Sequence, residues 1–164
     1  MEKKYILTEE TKEVGGHILH RIQAVRDFGD VQKGDLGGWV ESEENLSHDG
    51  DCWISSNGEV FGDGWVSGDG EVYDNGRIFG NARIGVNAYI SSPRSYFVQG
   101  PIGSRDDFLT CYLDKDKKIY AVTGCFSGTL EEFEKKVKET HGSNKHAKQY
   151  LKAAEAARVM LSED

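Results

Sequence analysis

The run EVFGDGWVSGDGEVYDNGRIFGNARIGVNAYI, residues 59–90, is too rich in glycine and aspartate for an ordinary helix or long strand, yet it is strictly ordered. The register begins just before it, and Ile54, Val60, Val66, Val72, Ile78, Ile84 and Ile90 stand six residues apart. Two positions before each aliphatic sits a small residue: Cys52, Gly58, Gly64, Gly70, Gly76, Ala82 and Ala88. A period of six matches neither the 3.6 of a helix nor the 2 of an uninterrupted strand. It predicts one short, flat strand and one corner per hexad, with hexads stacked coil on coil. The aliphatic points inward, the small residue lets the chain bend, and Gly, Asn or Asp supplies the corner. A glycine-rich flexible linker gives no reason for seven aliphatics to keep register.

The pattern resembles the left-handed parallel β-helix of hexapeptide-repeat proteins, in which three hexads make one triangular coil. The register here covers about two coils. So short a stack buries little, and repeat arrays need about three units plus caps. The resemblance therefore implies capping at the ends, self-association, or both, with a homotrimer favoured. The outward positions Trp53, Phe61, Trp65, Tyr73, Phe79 and Tyr89 supply either interface material or a surface for flanking segments to cover.

Composition narrows the functional classes. The chain has 164 residues, 37% of them hydrophobic, with a formal charge of −8. The charge is uneven: residues 30–90 hold twelve acids against Lys33, Arg77 and Arg83, whereas residues 91–164 hold eleven acids and twelve bases. No basic stripe exists, so duplex nucleic acid is not an expected partner, and an anionic ligand is tolerated only by the C-terminal part. No apolar run is long enough to span a membrane, and the acidic start MEKKYILTEE is not that of a signal peptide. Cys52, Cys111 and Cys125 show no metal-binding spacing and read as reduced thiols of a cytoplasmic protein. No cofactor or metal is expected.

The sequence divides into an N-terminal β-hairpin cap (residues 1–30), the hexad region (31–93) and a small α/β domain (94–164). The cap has strands near Lys4–Thr8 and His17–Val25 around Gly15-Gly16. It leads into GDVQKGDLGGWVESEENLSHDGDCWI, residues 29–54, which is similar to the lead-in of a group of bacterial and phage hexapeptide-repeat proteins whose usual label is transferase. After Ser92–Arg94, strands are expected at Tyr96–Gln99, Phe108–Leu113 and Ile119–Thr123. A helix then starts at Thr129 with Glu132 as capping-box partner and ends at Gly142. A second runs from Ser143 or Asn144 to about Leu161, packing Ala147, Tyr150, Leu151, Ala154, Arg158 and Met160 on the sheet. Residues 100–142, GPIGSRDDFLTCYLDKDKKIYAVTGCFSGTLEEFEKKVKETHG, resemble a small module of phage and prophage proteins. That likeness implies a phage origin more than a reaction.

Two segments offer binding chemistry. GPIGSR, Gly100–Arg105, combines Gly100 and Gly103 with the Ser104 hydroxyl and the two-pronged donor of Arg105. GCFSGT, Gly124–Thr129, reads as a strand-to-helix loop whose N–H groups suit an anion. If the two meet, Arg94, Gly124, Cys125, Phe126, Ser127 and Thr129 join them in a pocket for phosphate or carboxylate; otherwise the glycines serve only turn geometry. No histidine falls within the recognisable hexads. His48, flanked by Asp49 and Asp51, is a weak candidate base. His17 and His20 fall on opposite faces of a strand, and His141 and His146 flank a helix–helix turn. The expected function is a phage-encoded, non-enzymatic oligomeric binder that sequesters a small anionic host molecule, such as a nucleotide immune signal, as an anti-defence sponge. The alternatives are a hexapeptide-repeat acyltransferase and an acidic module that inhibits a host protein.

Overall fold

The computed structural model describes residues 2–124 and 126–161 and is mainly β, with two helices at the C-terminal end. It divides into two compact units, Met1–Pro93 and Arg94–Asp164.

In the first unit, β1 (Tyr5–Val14) and β2 (His17–Ala24) form an antiparallel hairpin, and β2 pairs antiparallel with β3 (Leu36–Val40). The first strand is longer than the expected Lys4–Thr8 and is bulged between Leu7 and Thr11. Seven two-residue strands follow, one per hexad: β4 (Trp53–Ile54), β5 (Glu59–Val60), β6 (Trp65–Val66), β7 (Glu71–Val72), β8 (Arg77–Ile78), β9 (Arg83–Ile84) and β10 (Tyr89–Ile90). Each pairs in parallel with its equivalent three hexads on. Trp53 lies against Glu71 and Glu71 against Tyr89, Glu59 against Arg77, and Trp65 against Arg83. Three parallel ladders result.

All seven ladder aliphatics are at most 1% exposed, so the register seen in the sequence is the core of this unit. The small residues are buried beside them. Gly76 shows why they stay small: a Cβ there would stand 2.6 Å from the Ile90 carbonyl oxygen and 2.8 Å from Val72 Cγ1.

The hairpin is more than a cap. Because β3 pairs in parallel with β5, the order β1-β2-β3-β5-β8 makes one continuous sheet of hairpin and hexads. Of the two roles expected for the outward aromatics, cover by a flanking segment is the one seen for Phe61 and Trp53. Phe61 is buried with Leu19 and Trp39, and Trp53 packs edge-on to Phe28, 5.3 Å between centroids. Trp65, Phe79 and Tyr89 remain exposed.

The second unit is a four-stranded antiparallel sheet in sequence order, β11 (Tyr96–Ile102), β12 (Asp107–Leu113), β13 (Ile119–Thr123) and β14 (Phe126–Thr129), followed by α1 (Leu130–His141) and α2 (Lys145–Leu161). Both helices bury a stripe against it: Leu130, Phe133 and Val137 of α1, and Ala147, Tyr150, Ala153, Ala154, Ala157 and Leu161 of α2. Met160, expected in that stripe, is 62% exposed, since it lies off the face shared by Ala153, Ala157 and Leu161. Arg158 forms an ion pair with Glu134 of α1.

Candidate functional site

The two glycine-bearing segments of the second unit converge. Asp107, at the start of β12, joins them: Oδ1 accepts from the Phe108 N–H (2.7 Å) and Oδ2 from the Gly124 N–H (2.9 Å). The Gly103–Asp106 turn is held from its other end by α2, where Gly103 N–H donates to Gln149 Oε1 at 3.1 Å. Gly103 has φ 79°, and a Cβ there would collide with the Tyr150 hydroxyl, so only glycine lets the turn lie on α2.

Between these elements lies a cleft of ≈ 280 Å³. Ser104, Arg105 and Asp107 line one side, Thr123, Gly124 and Phe126 a second, and Thr140, His141 and Tyr150 the helical side. A smaller apolar recess of ≈ 110 Å³ continues from it, adding Phe133, Lys136 and Val137. Tyr150 organises the aromatic wall, with its ring edge-on to Phe133 (5.6 Å) and stacked on His141 (5.8 Å).

Arg105 is exposed and forms no ion pair among the described residues. Asp107 brings a negative charge, but both its oxygens already accept backbone N–H groups. Burial pushes the Tyr150 hydroxyl above its ordinary pKa, Asp107 adds to the rise, and Arg105 opposes it. Tyr150 is thus a neutral donor beside a guanidinium, an arrangement that suits a carboxylate or phosphate oxygen.

Of the residues singled out by sequence, Ser104, Arg105, Gly124 and Phe126 line the cleft, and Gly103 supports it from behind. Arg94 is exposed in the turn before β11, and Gly100, Ser127 and Thr129 lie on strands outside the lining. Cys125 lies outside the described residues. The reading of Gly124–Thr129 as a loop is corrected: Phe126–Thr129 is a strand laddered to β13. Nor is the helix start an open anion site. Thr129 Oγ1 accepts from Glu132 N–H, and the Glu132 carboxylate takes the Thr129 N–H, so the capping box satisfies its own donors. Sequence reasoning missed Asp107, Thr123, Thr140, His141 and Tyr150 as cleft residues. The RDDF run at the head of a strand is a signal for Asp107; the helical residues carry none, because they reach the cleft only through tertiary packing.

The histidines of the first unit are also placed. His48 is held at both ring nitrogens: Nδ1 accepts from Lys4 N–H (3.2 Å), Nε2 lies 3.2 Å from Glu43 Oε1, and the ring stacks on Tyr5 at 4.2 Å. That geometry fastens the N-terminal strand and leaves no basic nitrogen for a substrate. His17 is different. Its Nδ1 lies 2.8 Å from Glu41 Oε2, while Glu41 Oε1 accepts from Gly62 N–H at 2.9 Å. The hydrogen bonds from His17 and Gly62 hold the Glu41 carboxyl below its ordinary pKa. A carboxylate on Nδ1 favours the tautomer that leaves Nε2 as the basic atom. The ring sits 4.9 Å from Phe61, which stacks on exposed Phe79 at 5.5 Å. Sequence spacing placed His17 on a strand face but gave no sign of Glu41, 24 residues on.

The class thus defined is a parallel hexad-repeat protein with a sheet-and-two-helix unit that carries a cleft. No family model matches the chain. Over 69 residues, 37% of this chain, it is 36% identical to the "Uncharacterized acetyltransferase YdcK" of Escherichia coli (strain K12). The matched stretch covers 21% of that protein's length.

Proposed function

We propose that the protein is an oligomeric, non-enzymatic binder of a small anionic ligand, with the hexad stack as assembly core and the C-terminal unit as binding unit. The observation that carries this reading is the joining of the Gly103–Asp106 and Gly124 turns through Asp107, with Arg105, which forms no ion pair among the described residues, lining the same cleft as Tyr150 and Phe126. A nucleotide fits the requirement for a phosphate and a flat ring, and a phage protein that sequesters a host signal is the setting the sequence resemblance suggests. On this reading the hexads wind as a left-handed β-helix, three copies associate along it, and the protein works in the cytoplasm.

A thermal-shift panel of cyclic and linear nucleotides tests it. A true ligand at about one hundred times its Kd stabilises the folded protein by about 2.7 kcal/mol. The Tm is expected to rise with at least one nucleotide, and the rise to vanish in Arg105→Ala. No shift with any member of the panel sinks the reading.

A second reading, acyl transfer, is favoured by the His17–Glu41 pair and by the partial identity to a protein labelled an acetyltransferase. In it, His17 Nε2 takes the proton of an acceptor hydroxyl or amine, and Glu41 steadies the imidazolium. Consumption of a coenzyme A thioester is then expected, with a loss of about 10²–10⁴-fold in His17→Asn. Absence of turnover by the unaltered protein removes this reading.

A further inference from the structure

Lys4 is wholly buried, an uncommon place for a lysine, and it forms no ion pair among the described residues. Its Nζ donates to the Cys52 carbonyl at 2.7 Å, the Gly50 carbonyl at 3.2 Å and the Cys52 Sγ at 3.3 Å, with the Phe28 ring 4.7 Å away. The three protons of the ammonium therefore have three acceptors, one of them sulfur. Cys52 is also wholly buried, and its thiol faces the carbonyls of Ser47 (3.5 Å) and Asp49 (3.6 Å). Burial lowers the Lys4 ammonium pKa and raises the Cys52 thiol pKa, while their contact pulls each back toward charge. The 3.3 Å contact puts the nitrogen and the sulfur within reach of each other with no side chain between them.

We propose that Lys4 and Cys52 are a modification site at which peroxide forms a covalent nitrogen–sulfur link between the N-terminal strand and the first hexad. In the ammonium–thiolate form, the Sγ lone pair attacks one oxygen of hydrogen peroxide. The O–O bond breaks, Cys52 becomes a sulfenic acid, and the departing hydroxide takes a proton from the Lys4 ammonium to leave as water. The freed amine, still in contact, attacks Sγ; the S–O bond breaks and the hydroxyl leaves with an amine proton as a second water. Sulfur is oxidised and peroxide reduced, and the product is a sulfenamide, the class of link a sulfenic acid forms with a neighbouring nitrogen. The bond closes a loop spanning 48 residues, stapling β1 to the start of the hexad stack, and reduction by a dithiol reopens it.

The molecule carries its own control. Cys111 is wholly buried in the other unit, its thiol pKa pushed up to about 12, and it makes no hydrogen bond to a lysine among the described residues. The full chain is treated with hydrogen peroxide, its free thiols alkylated after unfolding, and its peptides weighed. The expected result is a Lys4 peptide joined to a Cys52 peptide, lighter than their sum by two hydrogens. The link should be cleaved by dithiothreitol and be absent when the chain is oxidised unfolded, while Cys111 is recovered as thiol. Recovery of Cys52 as a thiol, or as a sulfinic acid with Lys4 free, overturns the proposal. Lys4→Arg adds a check: Cys52 then oxidises without cross-linking.

Discussion

Gly103 and Arg158 are the positions where one side chain decides most in the C-terminal unit. At Gly103 any Cβ meets the Tyr150 hydroxyl and the φ of 79° adds strain, so Gly103→Ala is expected to destabilise this unit by at least about 1 kcal/mol. Urea unfolding followed by a probe in the unit checks it, and Ser104→Ala, in the same turn but exposed and without a positive φ, should move the midpoint far less. The Arg158–Glu134 pair gives a pH signature. The Arg158 guanidinium, hydrogen-bonded to the Glu134 carboxylate, holds its pKa below the ordinary carboxylate value. A carboxyl whose folded pKa is depressed stabilises above its unfolded pKa, and that stability is lost as pH falls through the folded one. Stability of this unit should therefore be level at neutral pH and decline below about pH 4.5, and Glu134→Gln should flatten the decline. Thermal melts across that range give the comparison; an unchanged slope in the variant would rule the pair out as its source.

At the scale of the element, the hexads were legible in the sequence because each repeats the same local requirement: one aliphatic inward, one small residue two before it. Val72→Ala is expected to cost about 1.5–3 kcal/mol, two buried carbons plus the cavity they leave, since Val72 is wholly buried in the middle hexad and nothing can collapse into the void without breaking register with Ile54 and Ile90. An equilibrium unfolding curve reads that cost; a value near that of an exposed-site change such as Asn75→Ala would show that the ladder is not the core. The α1 capping box was equally legible from Thr129 and Glu132, and Thr129→Ala should cost about 1 kcal/mol. What escaped was set by distant partners. Strand β14 has only Phe126 to mark it in a run that reads FSGT, and it exists because β13 offers an edge. Trp53 and Phe61 look outward by hexad position and are covered by a hairpin that precedes them in the chain. The cleft was half visible: its turns announce themselves through glycine, while His141 and Tyr150 arrive from helices whose sequence reads only as amphipathic.

For the whole molecule, the question is how a chain of charge −8 would associate with copies of itself. The answer lies in where the hexads put their acids. Asp63 and Asp74 are exposed at corners, and Asp69 accepts from Asn87 N–H at 2.7 Å, whereas Glu59 on a ladder is neutralised by Lys12 (2.6 Å) and Arg77 (2.9 Å). The ladders thus present aromatic and charge-paired surface while the corners keep the repulsion. Trp65 on β6, Tyr89 on β10 and Phe79 just after β8 are each exposed by 36% or more and stand at three different ladders, so an association along any one of them has an aromatic to bury. Light scattering on the purified protein is expected to give about three times the 18.2 kDa chain mass, and weakening with dilution is expected to be stronger at low salt, where corner charges are least screened. Replacing Trp65, Phe79 and Tyr89 by glutamate one at a time should reduce the mass to that of one chain at the ladder that carries the contact and leave it unchanged at a ladder that does not. A monomer mass for the unaltered protein at every concentration and salt would mean that these aromatics serve something other than self-association. In that case the hexad stack must be stable with only its own hairpin for cover.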